Sequence, residues 1–193
     1  MLHIGLDIGS TTAKLVVIER DIIVYQDYVR HYSDIKKAAL SLLSDVRDRF
    51  PERGARLTVS GSSGLSLSKL GGVPFIQEVI ACTKAISALI PECDTAIELG
   101  GEDAKIIYLR GGIEQRMNTA CAGGTGAFID QMAALLQTDP AGLNVLAEKH
   151  ERIYPIASRC GVFAKSDVQP LLNEGARRED VAASIFQSIV NQT

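Results

Sequence analysis

Two periods of apolar and polar residues run along this chain, and each change of period marks an element. Apolar and β-branched residues crowd positions 4–8 and 15–18, and a third strand-like run covers 22–29. Gly9-Ser10-Thr11-Thr12 separates the first two runs, so the opening reads as strand, tight turn, strand. Glu19-Arg20-Asp21 turns the chain into the third strand. From Asp34 the period becomes helical. Ile35, Ala38, Ala39, Leu42, Leu43, Val46 and Phe50 fall on one face, with Ser33 or Asp34 as N-cap and Pro51 as the stop. Residues 56–59 form a short strand, and 60–64 is a Gly/Ser cluster that reads as a candidate ligand loop or, more commonly, as a simple connection. Residues 75–90 read as a helix with Phe75, Val79, Thr83, Ile86 and Ile90 along one side.

The opening logic then recurs. Residues 95–99 are a strand ending near Glu98, Gly100-Gly101-Glu102-Asp103 is a turn, and 104–109 is a second strand. Arg110-Gly111-Gly112 leads to a last strand over 113–117. A glycine-rich turn at 122–126 opens an amphipathic helix. Another helical stretch follows Gly161, with a break expected at Pro170 or a restart at Leu171. The tail over 179–190 is helical, with Val181, Ala182, Ile185, Phe186 and Ile189 on one side. Strands followed by helices make this an α/β chain, organised as an N-terminal half over 1–117 and a helical segment over 118–193.

Composition narrows the class only slightly. With 193 residues, 46% hydrophobic and 22% charged, the chain suits one generous globular domain or two small ones. A net charge of −3 gives no electrostatic reason to expect nucleic acid or an anionic membrane as partner. No apolar run approaches the ~20 residues that span a bilayer, and no secretory signal opens the chain. The expected location is cytoplasmic. Cys82, Cys93, Cys121 and Cys160 contain no CxxC pair, which excludes zinc-ribbon and thioredoxin motifs. Cys82 and Cys93 are expected to be small buried hydrophobes.

Candidate chemistry sits in the two hairpins. The turn after Asp7 presents backbone N–H groups and the hydroxyls of Ser10, Thr11 and Thr12 to one point, as a polyphosphate requires. Gly9 permits close approach, Lys14 can add positive charge, and Asp7 is placed to hold a hydrated Mg²⁺ through water. An ordinary hairpin with a polar turn fits the stretch equally well. It is neither a Walker A loop nor a Rossmann fingerprint, since no Gly-Lys-Ser/Thr follows and a strand rather than a helix comes next. Glu98 with Gly100, Gly101, Glu102 and Asp103 repeats the arrangement. Cys121 and Cys160 each precede a helix start, where the dipole favours a thiolate. A buried structural cysteine, the commoner role, fits the same positions.

The first hairpin resembles the first phosphate loop of the actin-like ATPase superfamily. Asp7-Ile8-Gly9-Ser10-Thr11-Thr12, Glu98-Leu99-Gly100-Gly101-Glu102-Asp103, Cys121-Ala122-Gly123-Gly124-Thr125-Gly126 and Ser158-Arg159-Cys160-Gly161-Val162-Phe163-Ala164 together resemble one family within it. That family is the activators (archerases) of 2-hydroxyacyl-CoA dehydratases, grouped with the ATPase subunits of benzoyl-CoA reductase. The resemblance runs from residue 2 to the chain's end. It implies an actin-like (ribonuclease H-like) ATPase fold whose two halves close on ATP, here the first half and cluster-binding helices. It also implies ATP and Mg²⁺ as ligands, with Asp7 and Glu98 in catalysis. Phosphate binding falls to Gly9, Ser10, Thr11, Thr12, Lys14, Gly100, Gly101, Glu102, Asp103, Gly123, Gly124 and Thr125.

The resemblance further implies a [4Fe–4S] cluster between the subunits of a homodimer, held by Cys121 and Cys160 of each chain. An electron arrives from ferredoxin or flavodoxin and leaves for an acyl-CoA dehydratase or reductase. Glu98 and Glu102 stand where the family carries Asp and Gln. The chain is expected to be an N-terminal fragment, because no Gly-Gly adenosine motif follows residue 165. Two other functions stay open on residues alone: an actin-fold small-molecule kinase, and a non-catalytic nucleotide-sensing scaffold.

Overall fold

Strand β1 (Leu2–Ile8) buries Leu2, Ile4, Leu6 and Ile8 and leaves His3, Gly5 and Asp7 on its other face, the two-residue period of a pleated strand. This alternation sets which side of the first sheet becomes core. The computed structural model describes residues 1–111, 114–118, 124–158 and 161–192. It divides into two compact units, Met1–Cys93 and Asp94–Thr193.

In the first unit β1 pairs antiparallel with β2 (Thr12–Glu19), and β2 pairs antiparallel with β3 (Ile22–Arg30). Helix α1 (Ile35–Arg49) carries the chain back to β4 (Ala55–Ser60), which lies parallel to β1, giving the order β3-β2-β1-β4. Ala39, Leu42 and Val46 of α1 pack on Leu2, Ile4, Leu6, Ile8, Leu15 and Val17. Each large side chain buried there contributes roughly 1.5–3 kcal/mol, so the helical face read from the sequence is the core face. Asp34 is the N-cap, its carboxylate accepting from the Lys37 N–H at 3.1 Å.

Two features after β4 differ from expectation. Residues 64–71 are helical: α2 (Gly64–Gly71) ends at Gly72, which takes the left-handed conformation at φ 62°. The Gly/Ser composition hides this helix. The next helix, α3 (Glu78–Leu89), starts three residues later than its apolar stripe indicates, because Phe75 bridges Val59 in parallel. Val59 donates to the Pro74 carbonyl and Ile76 to the Val59 carbonyl, both at 2.9 Å. Pro74 disfavours helix before it and lacks a donor of its own, so pairing with the open edge of β4 wins over helical periodicity.

The second unit begins with β5 (Thr95–Leu99), β6 (Ala104–Tyr108) and β7 (Glu114–Asn118), antiparallel in that order. Among the described residues four helices follow: α4 (Gly126–Leu135), α5 (Pro140–Ala147), α6 (Gly161–Asn173) and α7 (Arg178–Gln192). Phe128, Met132, Leu136, Leu143, Val168, Val181, Ile185 and Ile189 form their shared core. Helix α5 has no strong sequence stripe, but Asp139 caps it and Pro140 occupies its first turn.

Pro170 neither breaks nor restarts α6, contrary to expectation; the helix runs through it to Asn173. Ala164 and Val168 are buried before it, and Leu171 and Leu172 pack against the core after it. Burial on both sides of the proline outweighs the ~3 kcal/mol that an interior proline costs.

Candidate functional site

The register of the first sheet places four side chains in one row across its strands. Tyr28 faces Lys14, Lys14 faces Asp7, and Asp7 faces Ser60. Lys14 Nζ lies 3.0 Å from Asp7 Oδ2, and Ser60 Oγ donates to Asp7 Oδ1 at 2.8 Å. The Lys14 ammonium also sits 5.7 Å from the Tyr28 ring centroid. This row occupies the face opposite α1 and borders a cavity of about 750 Å³ that Gln26, Thr58 and Ile76 also line. Asp7 and Lys14 keep 34% and 40% of their side-chain surface, so an ion can reach them from solvent. Exposed to that extent, the pair adds at most about 1 kcal/mol to stability. Both Asp7 oxygens are engaged within the sheet, one by Lys14 and one by Ser60.

The turn after Asp7 is braced from two sides. Gly9 N–H donates to the Thr12 carbonyl at 3.0 Å, while Ser10 and Thr11 stay half-buried and Thr12 is buried. On one side His31 reaches the Gly9 carbonyl with Nε2 at 3.1 Å. On the other, the segment after β4 closes on the end of β1: Ser63 N–H donates to the Ile8 carbonyl at 3.0 Å. Gly61 adopts φ 91° there, and any Cβ on it would collide with the Ile8 backbone.

The second hairpin has a different electrostatic design. Glu98 on β5 faces Lys105 on β6. The Lys105 side chain is only 2% exposed, and its ammonium lies 3.0 Å from Asp103 Oδ2 and 3.7 Å from Glu98 Oε1. Two of the hairpin's carboxylates are thus neutralised from inside. Gly100 donates to the Asp103 carbonyl at 2.8 Å and closes the turn. The amides of Gly126 and Ala127 donate to the Gly100 and Gly101 carbonyls at 2.8 and 2.9 Å, and Thr125 Oγ1 accepts from Phe128. The first turn of α4 therefore spends its N–H groups on the Gly-Gly turn, clasping helix and hairpin together.

The expected site residues form one group in each unit. Asp7, Gly9, Ser10, Thr11, Thr12 and Lys14 belong to the first. Glu98, Gly100, Gly101, Glu102, Asp103, Gly124 and Thr125 belong to the second, where Thr125 is fully buried and Gly124 takes φ 79°. Gly123, Cys121 and Cys160 lie outside the described residues. Among the described residues no group of three or more His, Cys, Asp or Glu is placed to hold a metal ion. Sequence reasoning missed His31 and Lys105, and it placed Ser60 in a Gly/Ser candidate ligand loop without its contact to Asp7. Ser60 and Lys105 become visible once strand register is known, whereas His31 carries no local signal.

The fold and the paired hairpins define the class: an actin-like ATPase. The chain belongs to the BadF/BadG/BcrA/BcrD ATPase family, whose model matches residues 4–193. The activator of lactoyl-CoA dehydratase from Anaerotignum propionicum is 32% identical over 198 residues, covering all of this chain and 76% of that protein. The activator of the 2-hydroxyisocaproyl-CoA dehydratase from Clostridium difficile, solved with bound ADPNP, superposes with a TM-score of 0.87 at 29% identity. That match covers all of this chain and 73% of the other. Component A of the Acidaminococcus fermentans (R)-2-hydroxyglutaryl-CoA dehydratase gives 0.89 at 29% identity, over all of this chain and 76% of its own. Among the described residues no helix is long and apolar enough to cross a membrane.

Proposed function

We propose that this chain acts as the ATP-dependent activator of a 2-hydroxyacyl-CoA dehydratase or a related acyl-CoA reductase. It would pass on single electrons received from ferredoxin or flavodoxin. One observation carries the reading. A chain of this ATPase family joins two strand–acid–glycine–strand hairpins to two cysteines, Cys121 ahead of α4 and Cys160 immediately ahead of α6. The dehydratase activators among its relatives support the choice of partner.

In this reading the amides and hydroxyls of Ser10, Thr11 and Thr12, with Lys14, take one set of phosphate oxygens, and Gly9, whose own N–H is held by the Thr12 carbonyl, leaves room for their approach. Gly100, Gly101, Gly123, Gly124 and Thr125 serve the other hairpin. Asp7 orients the water shell of Mg²⁺, with Glu102 and Asp103 as further acceptors. Glu98 orients the attacking water, and Lys105 holds its carboxylate in place. Phosphoryl transfer asks mainly for such positioning and charge neutralisation. Each hairpin opens one of the two compact units, which suits a nucleotide-dependent change between two states.

A [4Fe–4S] cluster takes four thiolates, and the two helix-start cysteines, Cys121 and Cys160, supply two per chain. Two copies about a two-fold axis complete the set, and the bound cluster supplies one-electron storage. Val162 and Phe163, 72% and 66% exposed next to Cys160, give a second copy apolar surface to cover. The nucleotide half is tested by ATP hydrolysis in Glu98→Gln beside wild type. A fall in kcat of about 100-fold or more is expected from loss of a group that orients or accepts from water. Unchanged kcat would remove Glu98 from the mechanism.

A further inference from the structure

His31 follows β3 directly, and no role in nucleotide chemistry falls to it from the motifs. It is buried, with 5% of its surface exposed. Its Nδ1 accepts the Ser33 N–H at 3.1 Å, so that nitrogen is unprotonated and the ring proton sits on Nε2. Nε2 then donates to the Gly9 carbonyl at 3.1 Å. The His31 main-chain N–H donates to the Thr11 carbonyl at 3.2 Å. One residue therefore holds two carbonyls of the turn between β1 and β2.

Peptide planarity gives this grip a consequence. In a trans peptide the C=O and the following N–H point in opposite directions. Fixing the Gly9 carbonyl on His31 turns the Ser10 N–H away from it, and fixing the Thr11 carbonyl does the same for the Thr12 N–H. Two donors are aligned before any ligand arrives. Concave sets of backbone N–H groups hold anions by such alignment, and groups that are already oriented need no reorganisation on binding.

We infer that His31 is a positioning residue that preorganises the β1–β2 turn for a phosphate group, an inference that rests on the reading of that turn as a phosphate loop. A histidine serving only the core needs some partner for each nitrogen. This one spends its ring donor on a residue 22 positions earlier, inside the turn itself.

The test compares His31→Gln, which keeps an N–H donor near the Nε2 position, with His31→Leu, which fills similar space without one. Ser10→Glu, which sets a carboxylate in the turn, runs beside them. Affinity for ATP with Mg²⁺ is measured by calorimetry on the whole chain, and urea unfolding is followed in parallel. Ser10→Glu should abolish binding, His31→Leu should weaken it roughly tenfold, and His31→Gln should stay within about twofold of wild type. Wild-type ATP affinity in Ser10→Glu would overturn the phosphate-loop reading and the inference with it. If Ser10→Glu abolishes binding but His31→Leu binds like wild type, the clamp alone is overturned. His31→Gln binding as weakly as His31→Leu also overturns it. Loss of stability in His31→Leu with ATP affinity intact would assign the ring to folding alone.

Discussion

Single residues decide how close the backbone segments around the first hairpin can come. Gly61 is the sharpest case, because its φ of 91° and its contact with Ile8 both exclude a side chain. Gly61→Ala should destabilise the protein by at least about 2 kcal/mol, read as a lower urea midpoint. Gly54 is the matched control. It has open space around its Cβ position and no positive φ, so Gly54→Ala should be neutral or slightly stabilising, by up to about 1 kcal/mol. Equal midpoints for the two variants would show that the brace on Ile8 does not exist. Residue chemistry was partly legible in the sequence. Asp7, the hydroxyl turn and Glu98 announce themselves by residue type next to a strand end. Ser60 and Lys105 do not, since each gains its meaning from the strand beside it, and His31 acts across a turn it does not belong to.

At the scale of elements, local signals performed well where the periodic face was also the buried face. β1, β2, α1 and α7 follow their patterns closely. They failed where long-range pairing competed. Phe75 has the right spacing for a helix but joins the edge of β4, and Pro170 sits in a helix that its neighbours bury on both sides. Helix α7 illustrates a contact that no periodicity reveals. Asp180, buried in its first turn, accepts the Glu151 and Arg152 N–H groups at 2.7 and 3.0 Å, and Ser184 Oγ accepts from Tyr154. These bonds staple residues 151–154 to the helix. The Glu151 amide is the main cause holding the Asp180 carboxyl below its ordinary value, with the Arg152 amide and the Arg177 and Arg152 charges adding to it against the cost of burial. A depressed folded-state value stabilises the protein above the unfolded value and ceases to as pH falls through the folded one. The advantage of wild type over Asp180→Ala in urea midpoint should therefore be full at pH 7 and should shrink below about pH 4. A gap that is the same at pH 7 and pH 3 would contradict the staple.

The whole molecule is two units that each begin with an antiparallel hairpin carrying an acid and a glycine turn. That recurrence, more than either hairpin alone, marks an actin-like ATPase, and it is readable in the sequence because each hairpin is local. The central claim reaches further, to the two cysteines ahead of α4 and α6. Iron and acid-labile sulfide, measured in chain purified or reconstituted without oxygen, test it most directly, with Cys121→Ala and Cys160→Ala alongside. The account predicts about four iron and four sulfide per pair of chains, lost in either variant. A dimer that takes up no cluster on reconstitution, or one that keeps its cluster in both variants, would contradict it.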